Sequence, residues 1–166
     1  FALGMKKAGI DILIVTHRAD RPLRLEIDGD RDAVEFLDAG DLWGQGTYAT
    51  QKLLSRKHQH AVIGPAGENL VLFAGIVSNE RIAGRTGVGA VMGSKNLKAI
   101  AVRGTKGVGN LADPKAFLKV TAEKKKILAE NALTGQGLPA YGTQVLMNII
   151  NEVGALPTRN ANDVQF

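Results

Sequence analysis

Gly84, Gly87, Gly89 and Gly93 fall close together and lead directly into an apolar segment at 97–102. This run constrains the fold more than any other stretch of the chain. Glycine lets the main chain approach another main chain, or a ligand, with no Cβ in the way, and lets its N–H groups point outward. Arg81 and Arg85 flank the run, and arginine presents a rigid fork of donors that suits phosphate. The residues alone support two readings: an anion-binding loop, or tight turns where elements pack closely. Two common phosphate motifs are excluded. The nucleoside triphosphate loop requires Gly-Lys before Ser or Thr, whereas this chain has Gly93-Ser94-Lys95-Asn96. The dinucleotide fingerprint requires glycine where Met92 stands, and it follows a strand, whereas here the strand comes after.

The segments around the run can be read from periodicity and turn chemistry. Residues 1–8 read as a helix stopped by Gly9. Residues 10–15 are apolar and β-rich, which predicts a buried strand. Residues 22–27 alternate Leu23, Leu25 and Ile27 with Arg24 and Glu26, a strand with one wet face. Asp28-Gly29-Asp30 predicts a hairpin turn, with Val34, Phe36 and Leu37 on the returning strand. A helix is expected over 47–57, capped by Asp41, then strands over 61–64, 70–77 and 97–102. After Gly104 the texture becomes helical. Asp113-Pro114 predicts a helix start running to about residue 132, with a loop at 134–137. Leu138, Tyr141, Val145, Leu146, Ile149, Ile150 and Val153 share one face, which predicts a helix over 139–153 ended by Gly154.

The fold class expected is therefore α+β: a β-sheet-rich domain with short helices over 1–105, then the first helices of an all-α region over 106–166. The chain opens at Phe1 rather than Met, and the apolar face at 138–153 has little to pack on. Both features predict a fragment of a longer protein.

Composition removes several functions. The sequence has no cysteine, so it offers no disulfide, thiolate metal site or iron–sulfur ligand. Aromatics are only 5% of residues, which argues against a base-stacking nucleic-acid binder. No apolar stretch approaches the ~18 residues that suggest a membrane helix. The net charge of +5 is spread out, apart from Lys124-Lys125-Lys126, which reads as a solvated helix face. His17, His58 and His60 lack an accompanying carboxylate or thiol pattern and read as surface residues. Lys95 and Lys98 also read as solvated, and Trp43 as packing against the helix that follows it.

The run AGRTGVGAVMGSKNLKAIAVRG at 83–104 resembles the aldehyde ferredoxin oxidoreductase family. The flanks agree: IGPAGENLVLFAGIVSNERIAGR at 63–85, DLWGQGTYATQKLL at 41–54, KKAGIDILIV at 6–15 and GLPAYGTQVLMNIINEVGALPTRN at 137–160. The similarity runs in order through essentially the whole chain. Thr86 stands where the best-known members have glycine, and Ala161 replaces a common aromatic.

The resemblance implies an N-terminal α+β domain that forms the base for a tungsten bis-pterin, followed by the start of the helical domains that cover the metal. It implies pterin contacts at Arg81, Ile82, Gly84 and Arg85, with Gly87 to Gly93 as packed support. For the whole enzyme it implies a cytoplasmic oxidoreductase that also carries a 4Fe-4S cluster, oxidises aldehydes to carboxylic acids and passes electrons to ferredoxin. The resemblance implies that the cluster ligands and the catalytic groups lie outside this segment, which is not expected to be active alone. Neither a nucleic-acid nor a membrane partner is expected, and homo-oligomerisation stays open, as does molybdenum in place of tungsten. Two alternatives remain: a family member with another substrate, such as an aromatic thioester reductase subunit, and a non-catalytic truncated pterin-binding module.

Overall fold

The computed structural model describes residues 1–107 and 111–166. The chain divides into two compact units, Phe1–Asn110 and Leu111–Phe166.

The first unit is a six-stranded mixed sheet with short helices. Its elements are α1 (Ala2–Ala8), β1 (Leu23–Asp28), β2 (Ala33–Asp38), α2 (Thr47–Leu53), β3 (Gln59–Val62), α3 (Pro65–Glu68), β4 (Ile76–Ser78), β5 (Arg81–Ala83), α4 (Val88–Ser94) and β6 (Leu97–Arg103). The strand order is β2-β1-β6-β3-β4-β5. Among the described residues only β1 and β6 run parallel; every other pairing of these strands is antiparallel.

Strand alternation assigns the two faces. On one face Leu25 and Ile27 of β1 adjoin Ile100 and Val102 of β6. This face forms a core with Ala8, Ile63, Met92 and Leu97, against which Met5, Ile10, Leu13 and Val15 pack. On the other face Ala99 of β6 meets Val62 of β3, and Ala39, Leu42 and Leu54 close over them. That second face becomes polar toward Glu26, Asp28 and Arg103.

The expected hairpin is present. Asp28 Oδ1 accepts the N–H of Asp30 at 3.1 Å, and β2 returns in register, Asp28↔Ala33 to Leu23↔Asp38. β6 forms where expected, and α1 ends at Gly9 in the left-handed conformation.

Several expectations need correction. Residues 10–15 form no strand: Ile10, Leu13 and Val15 pack on the apolar face while Ile12 and Ile14 stand 78% and 79% exposed, so the run covers the sheet instead of pairing with it. Of residues 70–77, only Ile76 onward is strand. Leu70 is left-handed (φ 58), and Leu70 N–H and Val71 N–H bond back to Gly67 O and Ala66 O, which folds the segment into turns. β3 spans Gln59–Val62 rather than 61–64, because Pro65 opens α3. α2 ends at Leu53, where Leu54 turns extended, and Gly46 rather than Asp41 is its N-cap. The glycine run itself contains a helix, α4.

The second unit is helical. α5 (Pro114–Glu130) begins where expected, with Asp113 accepting the Ala116 N–H at 3.0 Å. The expected loop at 134–137 is a π-helical turn, Ala132–Gly137, capped by the Asn131 side chain. The single helix expected over 139–153 is three pieces: α6 (Leu138–Tyr141), a 3₁₀ segment (Gly142–Leu146) and α7 (Met147–Glu152). Gly142 sits at φ 59, outside helical space, and interrupts the run. No described helix is long and apolar enough to cross a membrane.

Candidate cofactor-contacting site

The β4–β5 hairpin and the start of α4 carry the residues singled out by the sequence. β4 and β5 are three residues each, joined by Asn79-Glu80, with Asn79 left-handed at φ 53. Asparagine tolerates that conformation better than most residues. β5 is the last strand of the sheet. Its outer edge offers backbone N–H and C=O groups that no further strand takes up.

Arg81 and Ile82 lie on this edge strand, and Gly84 and Arg85 follow immediately; all four are exposed, Ile82 at 65%. The fold therefore brings them together on one border of the sheet. Arg81 and Arg85 form no ion pair among the described residues. A Cβ placed on Gly84 would meet nothing nearer than 3.7 Å. The donor set is thus two guanidinium forks, an unpaired strand edge and an open glycine. It suits an anionic, planar, hydrogen-bond-rich group, which is the chemistry of a pterin with its phosphate. Leu72, 86% exposed, has its backbone against Gly87, three residues beyond Gly84.

The other glycines of the run serve packing. Gly87 is left-handed (φ 71), and a side chain there would overlap the Leu72 carbonyl oxygen. A Cβ on Gly93 would likewise overlap the Gly67 carbonyl oxygen, which lets α4 cross α3 backbone to backbone. Gly89 N–H donates to Ala74 O at 2.9 Å. The packing reading of the run therefore holds at Gly87, Gly89 and Gly93, while Gly84 stays open.

Two polar features differ from the sequence expectation. Lys98 is not solvated. Its side chain is fully buried, paired with Glu68 and donating to Gln45 O at 2.7 Å. Glu68 Oε2 in turn accepts the Gly44 N–H at 2.8 Å. An isolated lysine in a strand carries no sign of a partner thirty residues away, so nothing local announces the pair. His60 is also buried, at 5% exposure. Its Nε2 lies 3.0 Å from Ser55 O, so the proton sits on Nε2. Burial holds its pKa below the ordinary histidine value, only partly opposed by the Ser55 bond. His58 is half-buried, and its Nδ1 has no partner among the described residues. Among the described residues no group of three or more His, Cys, Asp or Glu side chains is arranged to hold a metal ion.

Comparison with known proteins places the chain in a family. The sequence model of "Aldehyde ferredoxin oxidoreductase, N-terminal domain" matches residues 1–104, and that of "domains 2 & 3" of the same enzyme matches residues 119–166. The chain is 50% identical, over 96% of its length, to the tungsten-containing aldehyde ferredoxin oxidoreductase of Pyrococcus horikoshii, and 51% identical to that of Pyrococcus abyssi. It spans 27% of the length of each of these relatives. A solved structure of the active site complex BamBC of benzoyl coenzyme A reductase, bound to 1,5-dienoyl-CoA, is similar with a TM-score of 0.70 and 37% identity. That match covers 78% of this chain and 21% of the other.

Proposed function

Because the chain belongs to the aldehyde ferredoxin oxidoreductase family, we propose that it forms part of a tungsten-pterin enzyme that oxidises aldehydes to carboxylic acids and delivers the electrons to ferredoxin. The observation that carries this reading is the cluster Arg81, Ile82, Gly84 and Arg85 on the open border of the sheet. When bound, a tungsten bis-pterin would supply the two-electron chemistry, and a 4Fe-4S cluster held outside this chain would supply one-electron transfer.

This chain's own work is binding and charge balance. The Arg81 and Arg85 guanidiniums neutralise the pterin phosphate and hold it by forked hydrogen bonds. The free edge of β5 and the backbone at Gly84 give N–H and C=O groups matched to the flat ring. Ile82, on the opposite face of β5 from Arg81, provides an apolar contact beside Gly84. With no cysteine in its 166 residues, the chain contributes no thiolate to the cluster.

The test is cofactor content in the protein produced from the whole reading frame with tungstate supplied. Arg81→Ala and Arg85→Ala should each lower pterin and tungsten per polypeptide severalfold. Wild-type content in both variants would sink the assignment, and a wild-type protein holding neither tungsten nor molybdenum would sink the enzyme reading.

A second reading keeps the site and changes the substrate. The similarity to a benzoyl coenzyme A reductase complex favours an aromatic thioester. Turnover of aromatic thioesters with no turnover of aldehydes would decide for it.

A further inference from the structure

We propose that Gln51 is a positioning residue for Arg81: its side-chain amide holds the β4–β5 turn and so sets where the Arg81 guanidinium stands. The proposal rests on the reading of Arg81 as a cofactor contact.

Two three-residue strands do not make a hairpin that stands by itself. β4 joins the rest of the sheet through one registered pair, Val77↔Val62, at its middle residue. A single pair is a pivot, and the hairpin needs a hold on each side of it. On the open side Ala74 O, just ahead of β4, accepts the Gly89 N–H of α4 at 2.9 Å, and Gly89 lies against the Gly75 carbonyl oxygen. On the turn side the hold is Gln51 of α2. Its Oε1 accepts the Asn79 N–H at 2.6 Å, and its Nε2 lies 3.5 Å from the Asn79 carbonyl oxygen, to which it donates. The amide thus takes both backbone groups of the one left-handed residue in the turn.

Asn79 is two residues from Arg81, and Ser78↔Arg81 is the pair that closes the turn. Any rotation about Val77 therefore moves Arg81 directly. Gln51 is itself well anchored. The loop leading into α2 is held at Gly44 by Glu68 and at Gln45 by Lys98. An unbroken set of contacts runs from the buried ion pair, through α2, to the turn. The 2.6 Å bond is the shorter of the two, so the acceptor half of the amide matters more.

The experiment uses the protein produced from the whole reading frame with tungstate supplied. Gln51→Leu removes both bonds at similar volume, whereas Gln51→Glu keeps the acceptor. Pterin released per polypeptide, tungsten per polypeptide and the exchange rate of the Asn79 amide hydrogen are measured. Gln51→Leu should speed Asn79 exchange about tenfold and lower pterin and tungsten severalfold, while Gln51→Glu stays close to wild type. In an Arg81→Ala background, Gln51→Leu should cause no further loss of pterin, because its effect passes through Arg81. An equal further loss there would show general destabilisation and overturn the proposal. Wild-type pterin in Gln51→Leu, with a loss in Arg81→Ala, would overturn the proposal and leave the cofactor reading standing. Wild-type pterin in Arg81→Ala would remove the reading itself. Should Gln51→Leu fail to accumulate, Gln51→Asn, one methylene too short to reach, is compared in its place.

Discussion

Lys98 of β6 and Glu68 of α3 form an ion pair closed to solvent, their side chains 0% and 4% exposed. Each end has a second partner, Gln45 O for the ammonium and Gly44 N–H for the carboxylate. Three segments distant in sequence are thereby joined at one point. Such a pair is costly to desolvate, and removing one partner leaves the other charge buried alone.

Glu68→Ala should therefore destabilise the protein by about 3–5 kcal/mol. The double variant Glu68→Leu with Lys98→Met should lose much less than the sum of the two single losses, since no lone charge remains. Chemical denaturation of the singles and the double measures the coupling. Additive losses would show that the pair does not act as a unit.

The glycine run should separate into packing and ligand positions. Gly93→Ala forces a methyl onto the Gly67 carbonyl oxygen and should cost about 1–3 kcal/mol by parting α4 from α3. Gly84→Ala meets nothing nearer than 3.7 Å and should leave thermal stability within about 0.5 kcal/mol of wild type. Its effect should appear instead in pterin content. Loss of stability at Gly84 with full pterin content would contradict this division.

Stability should fall on mild acidification because of His60. Its folded pKa lies below 6.5 through burial. The unfolded chain therefore takes up the proton first, and the contribution is full above about 6.5 and lost as pH falls through the lowered folded value. His60→Gln, neutral throughout and able to donate to Ser55 O, should flatten the slope of stability against pH below 6.5. An unchanged slope would assign it to other groups.

The second unit depends on its helix start. Asp113→Ala removes the acceptor of the Ala116 N–H and should cost about 1 kcal/mol. Asp113→Asn should recover most of it. Hydrogen exchange over residues 114–118 reports the fraying, and equal protection in all three forms would show that the cap contributes nothing.

Much of the fold follows from local signals. Alternation over 22–27 and the Asp28-Gly29-Asp30 turn identify the hairpin, because pleat period and turn chemistry act between near neighbours. Gly9 and Asp113-Pro114 mark element ends for the same reason. The strand-then-helix order, and so the α+β class, is determined by the sequence by itself. The motif at 83–104 likewise identifies the family without any coordinates.

The tertiary structure decided the rest. Residues 10–15 have the apolar, β-rich composition of a buried strand, but only the sheet shows that they cover its face instead of joining it. Lys98 reads as a surface lysine until Glu68 and Gln45 are brought to it, and His60 reads as exposed until the sheet buries it. The same holds at the candidate site. The sequence named Arg81, Ile82, Gly84 and Arg85, but their place on an open sheet border, with Gln51 gripping the turn beside them, depends on contacts between segments far apart in the chain. Burial and partnership are properties of such contacts, and periodicity and spacing, which are local, do not encode them.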